Sequence, residues 1–152
     1  MLKKIKKVSV IFILLVLGCN KQNMDIKLIN NFIDEVVLSK NGTYKESSRF
    51  IGFEKKISKE KKEVFNLFIG ENIKFLRKEL INNKYIVVSN NNIKSLDINF
   101  IYKIQDSEKV YHLVSNDKVV TTFIIKNGKI ISFFYNIVKG NSKKRTPLML
   151  NE

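Results

Sequence analysis

The chain has 152 residues, which is enough for one domain and too few for two ordinary ones. One proline and six glycines argue against a collagen-like or repetitive protein, and a single cysteine excludes an intramolecular disulfide. The net charge of +14 comes with heavy use of Ile, Lys and Asn, a composition that an A+T-rich genome also produces, so charge alone does not indicate a partner.

The first 18 residues have the parts of an export signal. Four lysines between positions 3 and 7 form a positive start, and residues 8–17 that follow contain Ser9 as their only polar side chain. Ten residues in a helix rise about 15 Å, whereas a hydrocarbon layer is about 30 Å thick and needs about 20 residues. This stretch is therefore predicted to be the apolar region of a signal peptide and not a membrane span.

The run Val16-Leu17-Gly18-Cys19 resembles the lipobox of bacterial lipoproteins. In that family the cysteine sulfur is diacylated, the chain is cut before the cysteine, and the new amino group can also be acylated. Gly18 fits the small residue required before the cut, whereas Leu17 departs from the smaller residue usual at its position. The resemblance implies a removed signal peptide over 1–18, a lipid on Cys19 and a short polar tether over 19–24.

Two or more acyl chains make a stable anchor, because each buried CH₂ contributes about 0.8 kcal/mol. The resemblance thus implies a protein on the exported side of the cell membrane or the outer membrane. Two alternatives remain open at this point. One is a plain secretory signal with an incidental cysteine, and the other is an uncleaved N-terminal helix.

Helical periodicity comes first in the mature chain. Apolar residues recur every three to four positions from 25 to 39, and Asn41-Gly42 ends this pattern. Phe50, Ile51 and Phe53 predict a short apolar turn or a single helical turn that covers the core. Ser58 is predicted to be the N-cap of a second helix that reaches to about residue 82, with Gly70 as a point where it can bend or divide.

From Lys84 onward the apolar period changes to two, which is typical of strands. Asn127-Gly128 is the pair that a tight type I′ hairpin prefers, because both positions need a positive φ. Other polar pairs, at 106–107 and 116–117, predict further turns. The predicted strands are 85–89, 97–104, 110–115, 119–125 and 129–138.

This order predicts an α+β fold in which two or three N-terminal helices pack on a curved antiparallel sheet of four or five strands. It resembles the nuclear-transport-factor-2-like and cystatin-like folds, which are common among small exported lipoproteins. The predicted single domain covers 25–138, followed by a polar and basic tail over 139–152. Within that tail, Pro147-Leu148-Met149-Leu150 either docks on the domain or a partner, or frays.

Several chemistries are excluded by what the chain lacks. His112 is the only histidine, so a site with two or more histidine ligands is ruled out, and it is interpreted as a strand residue rather than a catalytic base. No Gly-x-Ser-x-Gly sequence supports a Ser-His-Asp triad, and there is no phosphate loop, dinucleotide fingerprint or calcium loop. No cofactor or metal site is predicted. Asp97 and Asp106 are the candidate carboxylates for acid–base work.

The basic clusters over 55–62 and 143–145 are interpreted as solubilising surface, with anionic lipid headgroups as the alternative. Nucleic-acid binding is not expected, because the aromatic residues alternate as core residues do and do not form a stacking platform.

The resulting prediction is a lipid-anchored envelope protein that binds a small ligand or a protein partner. One specific version is an immunity-type role, in which the anchored domain intercepts a toxin. The predicted pocket residues are Tyr102, His112 and Tyr135, because each has an apolar body and a polar tip on a predicted strand. The alternative is a small hydrolase or isomerase that uses a pocket carboxylate and a tyrosine.

Overall fold

The structure, a computed structural model, describes residues 24–40, 44–52, 58–92, 99–100, 102–137 and 144–150. Within these ranges α1 runs over 24–37 and ends in the π-helical turn Ile33–Val37, α2 is Tyr44–Ser47, and α3 is Lys59–Leu80. A 3₁₀ turn, Asn90–Asn92, follows the first strand. The strands are β1 (Tyr85–Ser89), β2 (Asn99–Phe100), β3 (Glu108–Ser115), β4 (Lys118–Lys126), β5 (Lys129–Ser132), β6 (Tyr135–Ile137) and β7 (Lys144–Pro147).

The main sheet has four antiparallel strands in the order β1-β3-β4-β5, and the helices pack on one of its faces. This confirms the predicted α+β fold. Both tight turns use the left-handed backbone that their residue types favour: φ is 50° and 58° at Asn116 and Asp117, and 52° and 71° at Asn127 and Gly128. The two hairpins therefore follow from local turn chemistry, as predicted.

Helix α3 begins where the sequence predicts. The Ser58 side chain accepts a hydrogen bond from the Lys61 N–H at 3.3 Å, which satisfies one of the unpaired N–H groups of the first turn. The helix then continues through Gly70 without a break. Its buried residues Ile69, Ile73, Leu76 and Leu80 form one stripe that faces the sheet.

The centre of the core is a group of phenylalanines contributed by separate segments. Phe32 of α1 is fully buried, and its ring centroid lies 5.8 Å from that of Phe50, 6.1 Å from that of Phe123 and 5.1 Å from that of Phe133. All three pairs have the edge-to-face geometry that aromatic rings favour. Phe32 is thus a central contact between helix α1 and the sheet, beside the buried Ile29, Ile33, Val36 and Val37 of the same helix.

Residues 50–52, predicted as an apolar turn, run beside β5. The Gly52 N–H donates to the Ile130 carbonyl, and the Ile130 N–H donates to the Phe50 carbonyl, both at 2.9 Å. A Cβ atom on Gly52 would lie 2.9 Å from the Lys129 Cβ, so this close approach requires glycine. Phe50 and Ile51 are buried, which confirms that the segment covers the core, while Phe53 lies outside the described residues.

The predicted strand over 97–104 is largely wrong. Its described part forms regular structure only in β2, whereas residues 102–105 have none, and Ile104 is 44% exposed. The Tyr102 hydroxyl and the Gln105 N–H both donate to the Glu108 carboxylate, at 2.8 and 3.0 Å. These hydrogen bonds fold the segment back over Glu108, because one carboxylate accepts from residues six and three positions before it.

The predicted strand over 129–138 is divided at Phe133-Phe134 into β5 and β6, which belong to different sheets. At the break, the Phe133 carbonyl accepts from the Thr121 hydroxyl at 2.6 Å, and the Phe134 carbonyl accepts from the Leu148 N–H at 3.2 Å. Both rings are buried, and their centroids are 3.8 Å apart. A regular strand would have pointed the two rings to opposite faces.

The segment predicted as a C-terminal tail contributes to the domain over its described part. Strand β7 pairs in parallel with β2 and antiparallel with β6 in a second, three-stranded sheet. Leu150 is fully buried, and its N–H donates to the Ile131 carbonyl at 2.9 Å. Of the two predicted alternatives for the apolar run that ends at Leu150, docking on the domain is the observed one.

Arg77 of α3 joins the two long helices. Its guanidinium donates to the carbonyl oxygens of Val37, Val36 and Ser39 at 2.6, 3.3 and 2.9 Å. These carbonyls lie at the C-terminal end of α1, where a helix leaves its last carbonyls without partners and where the dipole favours a positive charge. Arg77 therefore caps α1 from a neighbouring helix.

Replacing Arg77 by methionine should lower the free energy of unfolding by about 2–3 kcal/mol, because hydrogen bonds from a charged donor are lost and half-buried carbonyls are left unpaired. Urea denaturation followed by circular dichroism measures the change. Lys78→Met is the matched control, since Lys78 is exposed on the same helix turn. Equal destabilisation by both substitutions would contradict the capping role.

Candidate functional site

A cleft lies between α3 and the part of β4 that follows the β3–β4 turn. Its volume is about 220 Å³ and it is partly open to solvent. An apolar cavity of about 150 Å³ is enough to hold benzene, so the cleft has room for one aromatic ring with a small substituent. The described residues that line it are Asn72, Phe75, Leu76, Val120, Thr121, Phe133 and Phe134.

Two local features shape this cleft. Leu113 pairs with Thr121 and Val114 with Val119, so Val120 is an extra residue in β4 and forms a β-bulge. A bulge turns side chains away from strict alternation, and here Val120 and its neighbour Thr121 both line the cleft. The second feature is the break at residues 133–134, which directs two phenylalanines toward α3.

The polar groups on the cleft walls are used within the protein. The Asn72 amide nitrogen donates to the Phe68 carbonyl at 2.9 Å, and the Thr121 hydroxyl donates to the Phe133 carbonyl. The remaining walls are mainly aromatic, and Phe75 stands at the rim with 48% of its surface exposed. The cleft therefore offers contact to an apolar group.

Tyr102, a predicted pocket residue, lies against the other face of the main sheet. It packs with Met149 on a small cluster formed by Val110, Ile124 and Ile131, and its hydroxyl donates to Glu108. It does not line the cleft. Its polar tip holds the 102–105 segment in place.

His112, the second predicted pocket residue, is buried on β3 with 1% of its surface exposed. Its Nε2 lies 2.9 Å from the Asn90 Oδ1, and its Nδ1 lies 2.9 Å from the Thr122 Oγ1. Because an amide oxygen can only accept, Nε2 donates to Asn90, and in the neutral ring Nδ1 then accepts from the Thr122 hydroxyl. The interpretation of His112 as a strand residue agrees with this placement, which is away from the cleft.

Tyr135 lies on β6, in the second sheet, and its side chain is not described. Cys19 and Asp97 are outside the described residues, while Asp106 is exposed on the turn before β3. Neither Tyr102 nor His112 lines the cleft, and the pocket assigned to these two residues and Tyr135 stays a prediction.

Two buried carboxylates, each paired with a lysine and a tyrosine, lie near the start of β3. Asp25 of α1 accepts from the Lys109 ammonium group and from the Tyr111 hydroxyl, the latter at 3.0 Å. Burial and this neighbouring carboxylate raise the pKa of Tyr111, so its hydroxyl stays protonated and donates. The pair fixes the start of α1 on the sheet.

Glu108 is the second buried carboxylate, with 1% of its side chain exposed. Burial alone would raise its pKa, but hydrogen bonds from the Gln105 N–H, the Tyr102 hydroxyl and Lys126 outweigh burial, so the pKa lies below its ordinary value of 4.5. The ionised form is thus the one that the fold stabilises. As the pH falls through the pKa of the folded state, this contribution to stability is lost.

Replacing Glu108 by glutamine should lower the free energy of unfolding at neutral pH. It should also make that free energy decrease less steeply as the pH is lowered. The reason is that the wild-type chain must protonate a stabilised carboxylate once the pH drops below about 4.5, whereas the amide has no proton to take up. Urea denaturation at a series of pH values measures the slope. Asp106→Asn, which removes a neighbouring exposed carboxylate, is the control, and identical slopes for wild type and Glu108→Gln would refute the assignment.

The cleft residues were not predicted as a site. One signal was present, because adjacent Phe133 and Phe134 cannot both face one side of a regular strand. A second was Phe75, which is off the apolar stripe of α3 and yet is large and aromatic. The bulge at Val120 has no such signal, since residues 119–125 are apolar or threonine throughout.

Among the described residues, no group of three or more His, Cys, Asp or Glu side chains is arranged to hold a metal ion. Within the same ranges, no helix combines the length and the apolar character needed to span a bilayer. Comparisons of this chain with known protein families, curated proteins and solved structures find no match.

Proposed function

We propose that this chain is an envelope lipoprotein whose α+β domain acts by binding while a lipid on Cys19 holds it to a membrane. The observation that carries the location is the order of the N-terminal sequence: a lysine-rich start, an apolar run too short to span a bilayer, Gly18 and then Cys19. The membrane is the cell membrane or the outer membrane, and the domain stands on its exported side.

The aromatic cleft supports the binding role. Its walls are mainly apolar, and Val64 and Leu67 on the same helix are exposed by 66% and 74% together with half-exposed Phe75. Such a surface accepts an apolar side chain of a protein partner or a small aromatic ligand. An immunity-type role, in which an anchored domain intercepts a toxin, is the version that location and small size suggest.

The alternative of a small hydrolase or isomerase requires a carboxylate and a tyrosine in one water-accessible cavity. The described residues that line the cleft include neither, and the two carboxylate–tyrosine pairs stand on the sheet near the start of β3. This arrangement favours the binding role.

Replacing Cys19 by alanine should abolish lipid attachment and release the protein from membranes. The full chain, expressed in a bacterium, is fractionated, and its N-terminal peptide is analysed by mass spectrometry. The wild-type peptide should begin at Cys19 and carry acyl chains on sulfur. Asn20→Ala, which leaves the run that ends at Cys19 intact, should behave as wild type. An intact Met1 or an unmodified thiol in the wild-type protein would contradict the lipoprotein assignment.

Indole serves as a probe of the cleft in an NMR titration of the full chain. Shift changes should be confined to the amides that surround the cleft, including Val120 and Phe134. Phe75→Asp should weaken the binding at least about tenfold, because a charge at the rim must lose water when the ring enters. Ile81→Asp, an equivalent change at an exposed apolar residue just after α3 that does not line the cleft, should leave binding unchanged. Equal effects of the two substitutions would argue against the cleft as the site.

A further inference from the structure

We propose that one end of the domain rests on anionic lipid headgroups, through what we call the anchor-proximal surface, formed by Met24, Lys27, Lys103, Ile104 and Lys129. This inference rests on the proposed lipid at Cys19. It adds the side of the domain that faces the membrane and the chemical class of lipid that this side contacts.

The start of α1 is fixed at one end of the main sheet. Asp25 is held there by Lys109 and Tyr111 near the start of β3. At the other end of the helix segment, the Tyr85 hydroxyl of β1 donates to Asp34 at 3.2 Å, so α1 runs along the sheet from the start of β3 toward its end. The N-terminal end of the domain therefore has a defined position.

Two more segments reach the same end of the sheet. Antiparallel pairing sets Lys126 opposite Glu108 and opposite Lys129, which places the β4–β5 turn beside the start of β3. Residues 102–105 fold over Glu108 through the hydrogen bonds of Tyr102 and Gln105. Lys103, Ile104 and Lys129 thus lie at the end where α1 begins.

The chain between the proposed anchor and Asp25 is short. Six residues span at most about 22 Å when fully extended. Strand β3, with eight residues, is about 27 Å long. If the opposite end of the sheet faced the membrane, Asp25 would lie above the membrane by most of the length of β3. The residues between Cys19 and Asp25 would then have to be almost fully extended. A short connection instead keeps the near end at a high local concentration beside the headgroups.

The chemistry of this end suits an anionic lipid surface. Lys27, Lys103 and Lys129 are exposed, and the Lys129 ammonium group also donates to the Arg49 carbonyl. Asp25 and Glu108 are buried and paired with lysines, which leaves Asp106 as the exposed carboxylate on the turn before β3. Met24 and Ile104 add apolar surface, with 70% and 44% of their area exposed. Exposed lysines around apolar side chains are typical of proteins that lie at the interface of an anionic bilayer.

The opposite end of the sheet has no such excess of positive charge among its described residues. There the exposed Lys84 and Lys118 lie near the exposed Asp34 and Asp117. Lys84 and Lys118 at this opposite end therefore serve as an internal control for Lys27 and Lys103 in the same molecule.

The test is a lysine footprint of the full-length protein, purified from bacterial membranes and reconstituted in vesicles of phosphatidylcholine with or without phosphatidylglycerol. Amine-reactive labelling is read by mass spectrometry, and the same digest gives the state of the Cys19 peptide. With phosphatidylglycerol, Lys27 and Lys103 should label at least about threefold more slowly than Lys84 and Lys118, and this protection should shrink at high salt.

Charge-reversal variants distinguish protection by the anchor-proximal surface from protection by the lipid tether alone. In Lys27→Glu/Lys103→Glu, protection of Lys129 should be lost, while Lys84→Glu/Lys118→Glu should retain it. Equal labelling at both ends of a protein whose Cys19 peptide carries lipid would overturn the surface and leave the lipoprotein assignment in place. A Cys19 peptide without lipid would overturn the assignment itself, and the surface with it.

Discussion

The packing of the Phe32 ring is the central contact between α1 and the rest of the core. This side chain contacts three other phenylalanines, which come from the segment beside β5, from β4 and from the break after β5. Removing a buried phenylalanine side chain costs about 3–5 kcal/mol, against a total stability of about 5–15 kcal/mol for a typical domain. With a single cysteine in the chain, no intramolecular disulfide adds to this aromatic packing.

Polar interactions complete what the aromatic packing begins. Arg77 binds carbonyls at the C-terminal end of α1, and Lys109 and Tyr111 hold Asp25 at its N-terminal end. The Arg77 guanidinium and the Asp25 carboxylate each have partners of opposite character, so neither end of the helix carries the cost of an unpaired charge. The same two interactions orient α1 along the sheet, so the first residues of α1 have a defined position, which bears on the proposed anchor.

The sequence predicts those parts of the fold that depend on neighbours in the chain. Ser58 as an N-cap and Asn127-Gly128 as a turn are local signals, and both appear in the structure. The strand predicted over 97–104 does not continue past β2 because the Tyr102 hydroxyl and the Gln105 N–H both bind the carboxylate of Glu108 and fold residues 102–105 back. The cleft depends on the bulge at Val120 and on the interruption between β5 and β6 at Phe133. Both follow from tertiary packing, which the apolar periodicity of the sequence does not reveal.

Leu150 has a consequence for the order of events during synthesis. It is fully buried and belongs to the same core as the residues of α1, with its N–H bonded to Ile131. A nascent chain that ends before this leucine lacks one residue of its hydrophobic core. We therefore expect the core to be completed only after residue 150 has left the ribosome. The proposed export would therefore bring the front end of the chain to a translocation pore before the core of the domain is complete.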